Sequence, residues 1–217
     1  LLHGGGDDEK AYFKGTDKKT QIKNLLDNMI ESGMIEPCIV VTPSYQNKYS
    51  SDETLSCKYF HNELAYDLIP AVEGKFNTYA KDTTEEGLKN SRLHRAFAGF
   101  SMGSAATWWT FTERLDIIGY FMPISGDSWC VTTMGGLKRS DDTAKHLADA
   151  ARKFELTAKD FYIYAGTGSN DIAYPNMTPQ IEAMKKLTDV FIYCDNFKDG
   201  NLYYCVYPEG YHNIDTV

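Results

Sequence analysis

Ser101 stands at the centre of a G-x-S-x-G motif that spans residues 99–103. Residues 94–98 before the motif become apolar at their end and suit a buried strand, whereas residues 104–109 begin small and suit a helix packed on a sheet. A serine on so tight a strand-to-helix turn is held in a strained backbone conformation that exposes its hydroxyl, and the flanking glycines remove Cβ atoms that would collide there. The motif and its surroundings therefore predict that Ser101 is a nucleophile.

A nucleophilic serine needs a base, and the five histidines of the chain differ in how well they fit that role. His212 follows a β-rich run at 202–207 and a turn at 208–210, which places it in a loop after the last strand. From such a loop a histidine can reach a serine at the carboxyl ends of the strands. We predict His212 as the base. The others are predicted to lie in helices, in the strand before the serine or in a glycine-rich loop: His61, His146, His94 and His3.

Two aspartates follow predicted strands and compete for the role of orienting the histidine. Asp171 ends the loop 166–171, which leaves the strand-like run 161–165. It lies between the serine and the histidine in the chain, and Ser…Asp…His is one of the orders in which such triads occur. Asp127 follows another strand-like run, 119–125, and remains the alternative. We predict Asp171 as the acid.

The first residues of the chain supply candidate donors for an oxyanion. An apolar pair is followed by His-Gly-Gly-Gly at residues 3–6, and glycines let backbone N–H groups converge on an oxygen without intervening side chains. We predict that Gly4 and Gly5 act together with the N–H of Met102, the residue after the nucleophile. These groups together predict acyl transfer through a serine.

The motifs together resemble those of the esterase-D-like α/β-hydrolases: H-G-G-G at 3–6, G-F-S-M-G at 99–103, G-T-G-S-N-D at 166–171 and G-Y-H at 210–212. Within that group they are most similar to feruloyl esterases of carbohydrate esterase family 1. The resemblance implies a secreted serine esterase, without a metal or other cofactor, that hydrolyses feruloyl esters on plant cell-wall xylan as part of a multidomain enzyme. An acetylxylan esterase and a carboxylesterase of the S-formylglutathione hydrolase type are the alternatives. A non-catalytic binding domain is disfavoured because every element of a triad is present.

Three aromatic residues lie in the chain close to the predicted triad: Trp129, Tyr174 and Tyr211. Flat apolar rings suit an aromatic acyl group or a sugar ring, so small hydroxycinnamoyl esters or feruloylated arabinoxylan are the expected substrates.

Compared with the family, the chain begins inside a central strand and stops just past the histidine. The opening strands and the closing helix are therefore expected to be absent from this sequence.

Helices and strands alternate along the chain, which predicts an α/β fold with a mostly parallel sheet and helices on both faces. The predicted strands are at 38–42, 95–99, 119–124, 161–165 and 202–207, and the predicted helices are at 18–33, 59–75, after Ser101, at 141–154 and at 179–193. Pro70 is expected to bend or break the second helix. With the resemblance, this pattern indicates a single α/β-hydrolase catalytic domain over residues 1–217, clipped at both ends.

The composition argues against several other classes of function. With 217 residues, of which 42% are hydrophobic, the chain can bury one sizeable core. Its net charge of −8 argues against nucleic acids and anionic membranes as partners, and no apolar run approaches the ~20 residues that span a bilayer. The five cysteines show no C-x-x-C spacing, which argues against zinc. Cys38 is expected to be buried in a strand, and a disulfide between Cys194 and Cys205 is left open.

Overall fold

The strands of the sheet pair in the order in which they occur in the chain. The computed structural model describes residues 1–13, 21–47, 50–196 and 198–214. Within them a four-stranded sheet has the order β1-β2-β3-β4, with β1 at Ala96–Phe100, β2 at Tyr120–Ile124, β3 at Tyr162–Gly168 and β4 at Leu202–Tyr207. All pairings between these strands are parallel, so their carboxyl ends lie at one edge of the sheet. The predicted α/β class is confirmed.

Helices precede the sheet and connect its strands: α1 (Gln21–Glu31), α2 (Glu53–Glu63), α3 (Ile69–Glu73), α4 (Glu85–Asn90), α5 (Met102–Arg114), α6 (Gly135–Lys138), α7 (Ser140–Lys153) and α8 (Tyr174–Met184). Between α2 and α3 the chain stays helical through a π-helical turn, Leu64–Leu68. This turn lies directly before Pro70, whose ring and missing N–H do not fit a regular helix interior. The irregularity expected at Pro70 is therefore present as a π-turn.

Helix α5 packs directly on the sheet and lies inside the core. Its residues 103–112 are all buried. The ring of Phe111 meets that of Phe121 on β2 edge to face, with the ring centroids 5.1 Å apart. A Cβ added at Gly103 would lie 2.2 Å from the carbonyl oxygen of Leu2, so the first turn of α5 can approach this part of the chain only without a side chain. Leu2 itself forms a parallel bridge to β1.

The two faces of the sheet differ in how far they are covered. Phe97, Phe121 and Ile163 point to the face on which α5 packs, and each is at most 4% exposed. The alternate positions Tyr120 and Met122 point to the other face and are each 39% exposed. In the described part of the chain the helices that contact the strands therefore cover one face, whereas the sequence predicted helices on both.

Residues 38–42 do not form the predicted strand. Cys38, Ile39 and Val40 are exposed, and this segment pairs with no strand among the described residues. Apolar and β-branched residues form a strand where a neighbouring strand packs and hydrogen-bonds with them, and their own preference is too weak to replace that partner. The prediction that Cys38 is buried is wrong for this reason.

The last helix also differs from the prediction, because it begins at Tyr174 and ends at Met184 rather than spanning 179–193. Pro175 occupies its first turn, where a missing N–H costs nothing, and Pro179 lies inside the helix rather than at its start. Residues 18–20 of the first predicted helix lie outside the described residues. Cys194 and Cys205 are free thiols, so the disulfide that was left open is not formed. No helix in the described ranges is long and apolar enough to cross a membrane.

Candidate active site

Ser101 lies on the turn between β1 and α5, as the motif predicts. Its backbone has φ 57° and ψ −113°, a region that costs a non-glycine residue roughly 1–3 kcal/mol and that is concentrated at functional sites. The surrounding backbone holds this conformation: the Ser101 N–H donates to the carbonyl of Ile124 over 2.9 Å. A Cβ added at Gly99 would lie 2.2 Å from the carbonyl oxygen of Gly103, so the turn closes only with glycine at its base.

A continuous chain of hydrogen bonds joins Ser101, His212 and Asp171. The Nε2 atom of His212 lies 2.9 Å from the Ser101 Oγ, and its Nδ1 atom lies 2.7 Å from Oδ1 of Asp171. An ionised carboxylate can only accept, so Nδ1 carries the proton and Nε2 is left to accept the serine hydroxyl. The His212 side chain is 25% exposed and that of Asp171 is fully buried. The arrangement can move a proton from the serine to the histidine and stabilise the resulting imidazolium.

The carboxylate of Asp171 is held in its charged form. Burial alone would raise the pKa of Asp171, but the hydrogen bonds with His212 and the Ala173 N–H, together with the nearby Ser125 hydroxyl, lower it below its usual range. The Ala173 N–H donates to Oδ1 over 2.7 Å, the same oxygen that faces His212. Asp171 is therefore an anion at neutral pH, as the orienting role requires.

The structure gives the rival Asp127 different partners. It is also buried, but Oδ2 of Asp127 accepts the Gly136 N–H over 2.7 Å and Oδ1 accepts the Trp129 indole N–H over 3.2 Å. Burial raises the pKa of Asp127, the opposite direction from Asp171. These bonds connect residues of the loop that follows β2. His212 forms its hydrogen bond with Asp171 and not with Asp127.

The glycine loop at the start of the chain lies against the nucleophile. A Cβ added at Gly4 would be 3.3 Å from the Ser101 Cβ, and one added at Gly5 would be 2.9 Å from the Met102 Sδ. The Gly4 carbonyl is fixed by the Tyr45 hydroxyl at 2.9 Å and by a ring nitrogen of the preceding histidine at 2.8 Å. The N–H and C=O of a trans peptide point in opposite directions, so these bonds also fix the direction of the Gly5 N–H.

Met102 begins α5, and its backbone N–H is among those that a helix leaves without an internal partner at its amino end. Its carbonyl accepts a hydrogen bond from the thiol of Cys57, a buried residue on α2, over 2.9 Å. The three predicted oxyanion residues, Gly4, Gly5 and Met102, thus lie together beside the serine.

Three residues of this site were missed by the sequence analysis: Tyr45, Cys57 and Ser125. Tyr45 and Cys57 act through partners more than forty positions away in the chain, and no local pattern indicates such pairs. Ser125 did carry a signal, because it directly follows β2 at the same sheet edge as Ser101, where ligand-binding residues of parallel sheets collect.

The three aromatic residues predicted to bind substrate have different surroundings. Tyr174 is 37% exposed and Tyr211 is 58% exposed, so both present ring surface to solvent beside the triad residues that they flank. Trp129 is half-buried and packs edge-on against Trp109, with ring centroids 6.4 Å apart. Trp109 lies about 10 Å along the axis of α5 from Met102, the first residue of that helix. The ring contact between Trp129 and Trp109 is therefore about two helical turns away from the nucleophile.

Comparison with known proteins gives related chains over nearly the whole length. The family model described as "Putative esterase" matches residues 1–215. Endo-1,4-beta-xylanase Y of Acetivibrio thermocellus is 41% identical over 212 residues, which cover 98% of this chain and 18% of the xylanase. An endo-1,4-beta-xylanase/feruloyl esterase of Xylanibacter ruminicola is 28% identical over 132 residues, covering 59% of this chain and 16% of that protein.

A solved structure shows the same fold. A serine-to-alanine mutant of the feruloyl esterase module from Clostridium thermocellum, complexed with sinapinate, has a TM-score of 0.89 at 39% identity. The match covers 100% of this chain and 71% of that one. The chain spans less than a fifth of the curated relatives and thus corresponds to one part of them. The motifs, the sheet and these matches agree, and the chain belongs to the esterase family of α/β-hydrolases.

Proposed function

We propose that the chain is a serine esterase that hydrolyses feruloyl or related hydroxycinnamoyl esters on plant cell-wall xylan through an acyl-enzyme. The observation that carries the proposal is the hydrogen-bonded chain from Ser101 through His212 to Asp171, at 2.9 and 2.7 Å. Both distances are within the range for a base that takes a proton from a nucleophile and for a carboxylate that orients the base. Asp171 and not Asp127 is the acid in this proposal.

The reaction follows from these positions in two steps. His212 accepts the proton of Ser101 as the serine oxygen attacks the ester carbonyl, and the N–H groups of Met102 and of the Gly4–Gly5 loop hold the oxyanion. The alcohol leaves with the proton from His212, and the acyl group stays on the serine. Water then attacks the acyl-enzyme with His212 again as base, which releases the acid and restores the serine. His212 carries every proton, so these steps need no cofactor.

The substrate class is supported by the relatives. One is named a xylanase, one a xylanase/feruloyl esterase, and the feruloyl esterase module is complexed with sinapinate. Sinapinate is a hydroxycinnamate, so a site that binds it accepts the ring and side chain of ferulate. We infer by extension that this chain works outside the cell, as a catalytic domain of a multidomain enzyme that acts on feruloylated arabinoxylan.

Aromatic side chains near the triad support an aromatic acyl group. The exposed rings of Tyr174 and Tyr211 flank Asp171 and His212, and burial of a feruloyl ring against such surfaces contributes roughly 1–3 kcal/mol. The proposal also includes Trp129 as a substrate-binding residue, at a greater distance from the serine, because its ring packs on Trp109 and its indole N–H bonds Asp127.

The test compares the hydrolysis of methyl ferulate with the release of acetate from acetylated xylan, using the intact chain and Ser101→Ala in parallel. We expect the ratio of kcat/KM to favour methyl ferulate strongly, and the variant to lose both activities. Preferential deacetylation of xylan would replace the proposal by an acetylxylan esterase. S-formylglutathione is assayed as a third substrate, and a preference for it would replace the proposal by a carboxylesterase of the S-formylglutathione hydrolase type. Equal activity of the variant would contradict the serine mechanism itself.

A further inference from the structure

Ser125 occupies an unusual backbone position at the carboxyl end of β2. Its φ is 54°, in the left-handed region that non-glycine residues rarely adopt, and its side chain is buried, with only 1% of the residue exposed. Its N–H donates to the carbonyl of Gly166 on β3 over 2.8 Å, which ties it to the strand that leads to Asp171. The next residue, Gly126, packs so closely under the nucleophile that a Cβ there would lie 2.6 Å from the Ser101 carbonyl oxygen.

The conformation of Ser125 is therefore imposed by rigid neighbours. The carbonyl of Gly126 accepts the Ser104 hydroxyl at 2.6 Å and the Trp108 indole N–H at 3.1 Å, both from α5. A strained residue clamped at the edge of the sheet where Ser101 and Asp171 lie is a candidate for a role in the site.

The Asp171 carboxylate uses its two oxygens unequally. Oδ1 faces His212 and the Ala173 N–H, each at 2.7 Å, whereas Oδ2 is buried and makes no hydrogen bond of good geometry with any residue that the structure describes. The same holds for the Ser125 hydroxyl, which is also buried. The Ser125 backbone is bonded to the strand that leads to Asp171, and the proximity of its hydroxyl helps to lower the pKa of Asp171. Buried polar atoms are rarely left without a partner, and these two are complementary, one a donor and the other an acceptor.

We propose that Ser125 is a positioning residue whose hydroxyl donates to Oδ2 of Asp171 and thereby keeps Oδ1 directed at His212. The inference rests on the proposed esterase function, since it assigns Ser125 to the same triad.

Loss of the hydroxyl has a defined electrostatic consequence. The titratable groups that face Asp171 in the described residues are His212 and Tyr204, and Tyr204 is neutral at physiological pH because burial raises its pKa to about 12. Without the Ser125 donor the Asp171 anion is less stabilised, so the pKa of Asp171 rises. The less stabilised carboxylate also attracts a proton on His212 more strongly. The second change moves the acidic limb of the pH–activity profile to higher pH, because a protonated His212 cannot accept the serine proton.

The experiment compares Ser125→Ala and Ser125→Gly with Ser128→Ala, using p-nitrophenyl acetate over a range of pH. Ser128 is a buried serine in the same loop, and its hydroxyl accepts the Cys130 N–H over 3.3 Å, which makes it a matched control. Glycine tolerates φ 54° without strain, so Ser125→Gly remains informative if the alanine variant folds poorly. We expect both Ser125 variants to lower kcat about tenfold and to shift the acidic limb of kcat/KM upward by about one pH unit, and Ser128→Ala to do neither.

The NMR signal of the His212 Nδ1 proton gives a second readout that does not depend on turnover, and we expect its chemical shift to change in both Ser125 variants because its hydrogen bond to Oδ1 of Asp171 changes. A lower kcat with an unmoved pH profile and an unchanged signal of the His212 Nδ1 proton would show that Ser125 only supports the fold, and this would overturn the proposal. Wild-type behaviour of both Ser125 variants would also overturn it. Failure of the esterase function itself is recognised separately, because the intact chain would then show no hydrolysis of p-nitrophenyl acetate that depends on Ser101.

Discussion

Replacing Asp171 by Asn tests the assignment of the acid with little change in shape. Asparagine keeps one carboxamide oxygen, which can stay at the position of Oδ1 and accept the Ala173 N–H that now lies 2.7 Å away. The amide nitrogen then takes the place of Oδ2 next to the Ser125 hydroxyl, which can accept from it. The variant should therefore fold, and what it loses is the negative charge beside His212.

The magnitude follows from the geometry of the His212–Asp171 pair. Oδ1 lies 2.7 Å from Nδ1, so the centres of the two charges are roughly 4 Å apart once His212 is protonated in the transition state. At an effective dielectric constant of about 20, this attraction amounts to about 4 kcal/mol, or a factor of roughly 10³ in rate. A wrong histidine tautomer adds to the loss, since an amide can also present an N–H to Nδ1. We expect kcat to fall by ~10³–10⁴-fold near neutral pH.

The control is Asp127→Asn, which changes a second buried aspartate at the same sheet edge. Burial raises the pKa of Asp127, so a neutral side chain is tolerated there, and asparagine loses only one of two acceptor contacts, to Gly136 or to Trp129. We expect a loss of about 1 kcal/mol of stability and at most a few-fold loss of kcat. The assay measures kcat on methyl ferulate for both variants, with thermal unfolding as a check on folding. A larger loss of kcat in the Asp127 variant than in the Asp171 variant would refute the reasoning.

The pH dependence of stability separates the same two aspartates. The folded-state pKa of Asp171 is lowered, so its contribution to stability is present above the usual carboxyl range and is lost as the pH falls through that lowered pKa. The folded-state pKa of Asp127 is raised, so Asp127 destabilises the protein as the pH rises and it becomes charged. In urea unfolding between about pH 3 and 7, Asp171→Asn should flatten the gain in stability with rising pH, and Asp127→Asn should steepen it. Identical pH profiles for both variants would contradict the opposite shifts.

Three further predictions concern other parts of the site. Ser101→Ala should lower kcat by at least ~10³-fold without unfolding the protein, as measured with p-nitrophenyl acetate and by thermal unfolding, and retention of more than a tenth of the activity would rule out Ser101 as nucleophile. Trp129→Ala should lower kcat/KM for methyl ferulate roughly tenfold and hardly change kcat/KM for an acetyl ester. Equal losses on both substrates would show that Trp129 instead stabilises the loop through its hydrogen bond to Asp127. Tyr45→Phe removes one hydrogen-bond donor to the Gly4 carbonyl and should lower kcat several-fold on both substrates alike. A loss of kcat confined to one substrate would contradict a role of Tyr45 in orienting the glycine loop.

Much of the fold was predictable because its signals are local. The strands at 96–100, 120–124 and 202–207 are short apolar or β-rich runs bounded by turn residues, and the structure places them within a residue of the prediction. The run at 38–42 has the same composition and fails to form a strand, since composition cannot report whether a neighbouring strand is present to pair with it. The start of α8 was missed because a proline fits either the first turn or, with distortion, the interior of a helix.

In the candidate site, too, the features that consecutive residues define could be predicted, whereas the contacts between distant residues could not. The nucleophile motif and the glycine loop could be read from consecutive residues, because strain and close backbone approach require particular residues at particular spacings. The two aspartates could not be separated with the same certainty, since each follows a strand at the same edge of the sheet. The donors to Asp127 come from its own loop, at Trp129 and Gly136, whereas Asp171 receives His212 from 41 positions further along the chain.

The different surroundings of the two buried carboxylates also account for the opposite shifts of their pKa values. Burial raises the pKa of both, and the net direction depends on whether the hydrogen bonds and charges around each carboxylate offset that rise. Asp171 gains from His212, which becomes a cation when the serine is deprotonated, so its anion is stabilised most at the moment when it is needed. Asp127 accepts the backbone N–H of Gly136 and the indole N–H of Trp129, and these neutral donors together with the charge of Lys138 do not offset its burial. The carboxylate whose pKa is lowered is the one that a histidine 41 positions away contacts. The sequence could therefore favour Asp171 over Asp127 but could not show which of the two aspartates His212 reaches.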